Sequence, residues 1–87
     1  MPYLDGNSRD YIDRGGSPET AGQLTYAISR LVERYMDRRT ELGPIRYADM
    51  AAVLGALEGT KAEFEHQVVR PYEDRKLLEN GLVFKPR

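Results

Sequence analysis

Six side chains of this sequence have the chemistry to hold an anionic, aromatic ligand: Tyr26, Arg30, Lys61, His66, Arg70 and Tyr72. Arginine and lysine pair with phosphate oxygens, and a tyrosine ring offers a base a face to stack on. Tyr26 and Arg30 stand one helical turn apart, with Arg34 one turn further, so ring and guanidinium can stack on one outer helix side. A solvated face is the plainer reading of the same three residues. Lys61 falls in the middle of an apolar face, where it must snorkel or find a carboxylate, and Glu58 at i−3 and Glu65 at i+4 can supply one. It is either a paired lysine at the edge of a core or an anion-binding lysine in a cleft. His66 lies nearly in line with Gly59 and Ala62. Arg70-Pro71-Tyr72-Glu73-Asp74-Arg75-Lys76 is the densest polar cluster. Free N–H groups of a helix starting there could hold an anion, or Glu73 and Asp74 cap that start.

Reaction chemistry finds little support. There are no cysteines and one histidine, so thiolate zinc sites, cysteine nucleophiles and His-rich metal sites are excluded. Phosphate-loop, dinucleotide, zinc-protease and nucleophile-elbow motifs are absent. Acid pairs such as Glu63/Glu65 and Glu73/Asp74 are common on helices and define no site. The expectation is a protein that is not an enzyme and uses no cofactor and no metal.

These residues must be carried by one small domain, because 87 residues cannot hold two cores. With 40% hydrophobic and 31% charged residues the chain is too apolar for disorder and too charged for a membrane protein. A net charge of −1 gives no basic field for nucleic acid. No apolar run is long enough to span a bilayer and no signal-peptide core is seen, so a soluble intracellular protein is expected.

Residues 1–16 are rich in turn formers, with a Gly15-Gly16 pair, and read as an arm with little regular structure in which Tyr3, Leu4, Tyr11 and Ile12 could dock on a core. A single helical domain follows over 17–87. Ser17-Pro18-Glu19 is a helix start, with slippage to about residue 21 because Gly22 weakens the first turn. Leu24, Ala27, Ile28, Leu31, Val32 and Tyr35 then form one stripe, with Tyr26, Arg30, Glu33 and Asp37 opposite, up to Thr40 before Gly43-Pro44. A second helix starts near Tyr47. Its Met50, Val53, Leu54, Leu57, Phe64 and Val68 share a face at close to heptad spacing. Arg70-Pro71 interrupts it. Tyr72 to Asn80 reads as a short third helix or a kinked continuation that stops at Asn80-Gly81, before an apolar Leu82-Val83-Phe84 and a Lys85-Pro86-Arg87 end.

Ala51, Ala52, Gly55, Gly59 and Ala62 make a second stripe on that helix. Each glycine costs about 1 kcal/mol there relative to alanine. The stripe fits packing on the first helix, a contact between subunits, or a ligand groove. The fold class expected is all-α: a helical hairpin with a short third C-terminal helix. A thin two-helix core favours assembly as a homo-oligomeric bundle.

Four stretches carry a family resemblance: Met1-Pro2-Tyr3-Leu4, Gly22 to Leu31, Gly55 to Phe64, and Val68 to Lys76 with Glu79-Asn80-Gly81. The Pro-Tyr-Glu-Asp run and the Glu-Asn-Gly ending are the most specific. The chain resembles a family of small, largely uncharacterised helical proteins of bacteriophages and prophages. That family usually has asparagine at Thr25, an aromatic and two arginines at Glu65, His66 and Gln67, and Asp and Tyr at Leu82 and Phe84. If the family has a basic binding surface at those arginines, this chain has lost much of it. The resemblance implies a phage or prophage origin and a host-cytoplasmic setting, and it supplies no activity.

The function expected is a non-enzymatic, phage-type binding protein that counters host defence by sequestering a nucleotide-derived signal in inter-subunit clefts. Its site would be built from Tyr26, Arg30, Lys61, His66, Arg70 and Tyr72. The alternative is an adaptor or inhibitor that docks on a host protein through the Tyr26/Arg30 face. Nucleic-acid binding through Arg38, Arg39 and Arg46 is disfavoured by the dispersed acids.

Overall fold

Asp5 begins the first ordered element. Its carboxylate accepts the Ser8 N–H at 2.8 Å and caps a helix over Gly6–Asp13 (α1). The helix stops in a paired turn: the Gly15 N–H donates to Ile12 O and the Gly16 N–H to Tyr11 O, both at 2.9 Å, with Gly15 at φ +96°. This is the glycine-terminated C-cap in which two orphan carbonyls are satisfied together. The Tyr11 ring then lies against Gly16, leaving no room for a Cβ there, and the Tyr11 hydroxyl donates to Ser17 O at 2.8 Å. The arm expected over 1–16 to lack regular structure is therefore a capped helix. Its turn formers are the cap, the first turn and the stop of that helix.

The structure is a computed structural model that describes residues 4–84. Met1, Pro2 and Tyr3 of the arm and the Lys85-Pro86-Arg87 end lie outside the described residues. Helices cover most of what is described, and among the described residues there is no strand. The class is all-α.

Helix α2 runs over Ala21–Thr40, with Thr20 rather than Ser17 as its cap. The Gln23 N–H donates to Thr20 Oγ1 at 3.1 Å, and Gln23 Oε1 accepts the Glu19 N–H at 2.8 Å. Thr20-x-x-Gln23 thus shares the work of a capping box and outcompetes the earlier serine. Helix α3 covers Tyr47–Phe64. Asp49 closes its start, accepting the Arg46 N–H at 3.0 Å and Arg39 Nε at 2.9 Å.

Beyond α3 the chain does not break at Pro71. A π-helical segment, Glu65–Val69, leads directly into α4, Arg70–Asn80. The Arg70 N–H donates to Glu65 O, five residues back. Proline would clash with the carbonyl four residues before it and has no N–H to give. A widened turn restarts the ladder, so Pro71 falls in the first turn of α4, where a missing donor is harmless. Of the two expectations for Tyr72 to Asn80, the continuation is found and the separate third helix is not. Gly81 ends it at φ +82°, its N–H on Leu77 O at 2.8 Å.

By its contacts the chain divides into two units, residues 1–49 and 50–87. In the first, α1 packs on α2 and Ile12 is buried between them, with Leu4, Gly22 and Tyr26 half-buried around it. The α2 stripe of Leu24, Ile28, Leu31 and Tyr35 stays 40–59% exposed. In the second unit no described residue is buried: Met50, Leu54, Leu57, Phe64 and Val68 are 41–61% exposed.

Candidate functional site

Tyr26 and Arg30 sit where α1 crosses α2, and what faces them is Asp13. The Tyr26 hydroxyl donates to both Asp13 carboxylate oxygens, at 3.0 and 3.1 Å, and Arg30 Nε lies 3.3 Å from Asp13 Oδ1. Arg9, one turn before Asp13, holds its guanidinium 5.5 Å from the centre of the Tyr26 ring. Two pairs at i,i+4 spacing, Arg9/Asp13 and Tyr26/Arg30, therefore interlock across the helix crossing. Loss of solvent first, and the Asp13 carboxylate second, push the Tyr26 phenol above its ordinary value.

The side of α2 expected to be outer and solvated is thus the seat of α1. The stacking partner of Tyr26 is Arg9 rather than Arg30. The two residues that sequence reasoning missed, Arg9 and Asp13, were visible as an i,i+4 pair. In an arm without regular structure that spacing has no meaning, and only the helix over Gly6–Asp13 gives it one.

The other four candidates lie on the helix of the second unit. Lys61 is on α3, His66 in the π segment, and Arg70 and Tyr72 in the first turn of α4. Lys61 and His66 are separated by roughly 140° about an ideal axis, so they do not share a face. Among the described residues no ion pair joins Lys61 to Glu58 or Glu65. Lys61 is exposed, its ammonium open to solvent rather than buried at a core edge. Tyr72 is the best-dressed of the four: the Arg75 guanidinium stands 6.0 Å and the Lys76 ammonium 5.7 Å from its ring centre. Lys76 also pairs with Glu79 at 3.2 Å.

In the second stripe of α3, a Cβ added at Gly55 or Gly59 would meet nothing within 4 Å. Among the described residues no group of three or more His, Asp or Glu could hold a metal ion, and no helix is long and apolar enough to cross a membrane.

The candidates thus form two groups, each built on one unit. The first is an interlocked charge cluster, and the second is spread around one helix, with Arg75 and Lys76 gathered at the Tyr72 ring. Both set cations against a tyrosine ring, an arrangement that can hold an anion or an aromatic group.

Comparison with known proteins adds a family and no activity. No curated protein and no solved structure matches the chain. One family model, described as a domain of unknown function (DUF6899), matches residues 1–83, and it carries no indication of a phage source. That match spans nearly the whole chain, which belongs to the DUF6899 family.

Proposed function

We propose that this chain is a non-enzymatic binding protein that acts as a homo-oligomer and holds a phosphate-bearing, nucleotide-derived ligand in clefts between copies. The observation that carries the reading is the second unit's helix. It presents Met50, Leu54, Leu57, Phe64 and Val68 along one side, all at least 41% exposed, and no described residue of the unit is buried. A helix with an open apolar side gains its stability from what it packs on, and small chains meet that need by association. The expected hairpin and its assembly into a bundle belong to this proposal.

The ligand class follows from the polar groups on the same helix. Arg70 and Lys61 supply cations for phosphate, and Tyr72, flanked by Arg75 and Lys76, supplies a ring for a base. A phage or prophage source, a host-cytoplasmic location and a counter-defence role rest on the family resemblance alone. The Tyr26/Arg30 face is the poorer docking site for a host protein, because a partner there would first displace Asp13.

The test is calorimetry of the whole chain against cyclic and ADP-ribose-type nucleotides. Binding at or below ~10 μM that weakens in Tyr72→Ala and Arg70→Ala supports the reading. Absence of binding across the panel, or binding indifferent to both substitutions, overturns the nucleotide assignment.

A further inference from the structure

Met50, Leu54, Leu57, Lys61, Phe64 and Val68 recur at spacings of four and three. From Met50 to Phe64 that is a 3.5-residue repeat, the period at which a helix keeps one seam against a second helix wound around it, and Val68 follows inside the π segment, whose wider turn departs from that period. In heptad terms Met50, Leu57 and Phe64 take one core position (d), and Leu54, Lys61 and Val68 the other (a). The five apolar members are 41–61% exposed. The residues flanking the a positions are Ala51, Glu58 and Glu65, and those flanking the d positions are Val53, Thr60 and Gln67. Lys61 is the one cation of the seam. Among the described residues it has no ion pair in its own chain, and neither have Glu58 and Glu65.

Charge selects the pairing. In a parallel, in-register pair the two Lys61 side chains meet in one core layer, and the residues across from Glu58 are uncharged. In an antiparallel pair a positions face d positions. Centring the pair on residue 59 sets Leu54 against Phe64 and Leu57 against Lys61 of the partner subunit, and brings Met50 to the partner's π segment, where Val68 stands. On the a side of that seam Lys61 lies about one residue's rise, ~1.5 Å along the axis, from Glu58 of the partner subunit. Along the axis the order across the twofold is then lysine, glutamate, glutamate, lysine, so each Glu58 has a Lys61 of the other copy on its outer side.

Resting on the homo-oligomer part of the reading above, we infer that two copies pair antiparallel through this seam, with the twofold beside residue 59 and Lys61 fixing the register against the partner's Glu58. A polar residue at a single core position sets register and orientation at a cost in stability, which is the role left to Lys61 here.

The test uses single-cysteine variants of the full chain, which has no cysteine of its own. Ala51→Cys and Glu65→Cys are co-expressed and treated with a short bis-maleimide. Both positions are exposed, and in the antiparallel register residue 51 of one copy faces residue 65 of the other. The expected result is a mixed 51–65 product exceeding either like-with-like product. A chain whose mass shows it to be oligomeric but which yields no mixed product overturns the seam and leaves the oligomer standing. A single-copy mass overturns both. A second measurement reads Lys61 itself. Lys61→Leu should tighten association about tenfold, because an ion leaves the core, and Lys61→Glu should weaken it about tenfold, because it faces the partner's Glu58. Unchanged or tighter association in Lys61→Glu overturns the register.

Discussion

At Asp13 the local and the tertiary demands oppose each other. A carboxylate in the last turn of a helix faces the negative end of its dipole, and α1 has no basic residue there to offset it. The compensation comes from α2, through the Tyr26 hydroxyl and Arg30. Asp13→Asn should therefore loosen α1 from α2, with faster amide exchange over 6–13 and little change over 47–80. Tyr26 gives the pH dependence. Its folded pKa is raised above 10.0, so the docking it contributes is complete below pH 10 and is lost as pH rises through the folded value. Ultraviolet titration should show at least one phenol ionising above the ordinary tyrosine range, and Asp13→Asn should bring it down. Asp49 runs the other way. Hydrogen bonds from Arg46 first and Arg39 second hold its pKa below 3.8, so its contribution to the start of α3 is complete above pH 3.8 and is lost as acid protonates it. Little of this network was legible in the sequence. Spacing shows which residues share a helix face, but not which face a second helix will cover.

The elements were legible in proportion to their length and punctuation. The α2 stripe from Leu24 to Tyr35 and the stop after Thr40 follow from period and from Gly43-Pro44, and the start at Tyr47 from Asp49. The α1 helix escaped because two turns are too few for a period, and its signals, Asp5 to Ser8 and Gly15-Gly16, look the same as those of a loop. Pro71 misled because a proline inside a helical pattern usually ends it. The Glu65–Val69 widening that accommodates it has no composition of its own. Ile12 is the buried anchor of α1, and Ile12→Ala should cost about 2 kcal/mol in α1 docking, seen as lost protection in hydrogen exchange. Gly55→Ala, at a site with open space and outside the heptad seam, should raise the helix's stability by about 1 kcal/mol in thermal unfolding.

For the molecule as a whole the governing fact is how little of its apolar surface is enclosed. Ile12 is the buried hydrophobic residue of the described chain, and the side chains that would build a core, from Leu24 to Tyr35 and from Met50 to Val68, are largely open. The class, all-α, followed from helical spacing alone. The proposed need for a partner rests on length and on the open apolar sides, and the proposed register on Lys61 having no ion pair among the described residues. The direct measurement of the central claim is sedimentation equilibrium over a dilution series, with helicity followed by circular dichroism on the same samples. The account predicts a mass of at least twice the 9.9 kDa chain and a loss of helix as the assembly is diluted apart. A homogeneous 9.9 kDa particle that remains helical and unfolds cooperatively at the lowest concentration would contradict it.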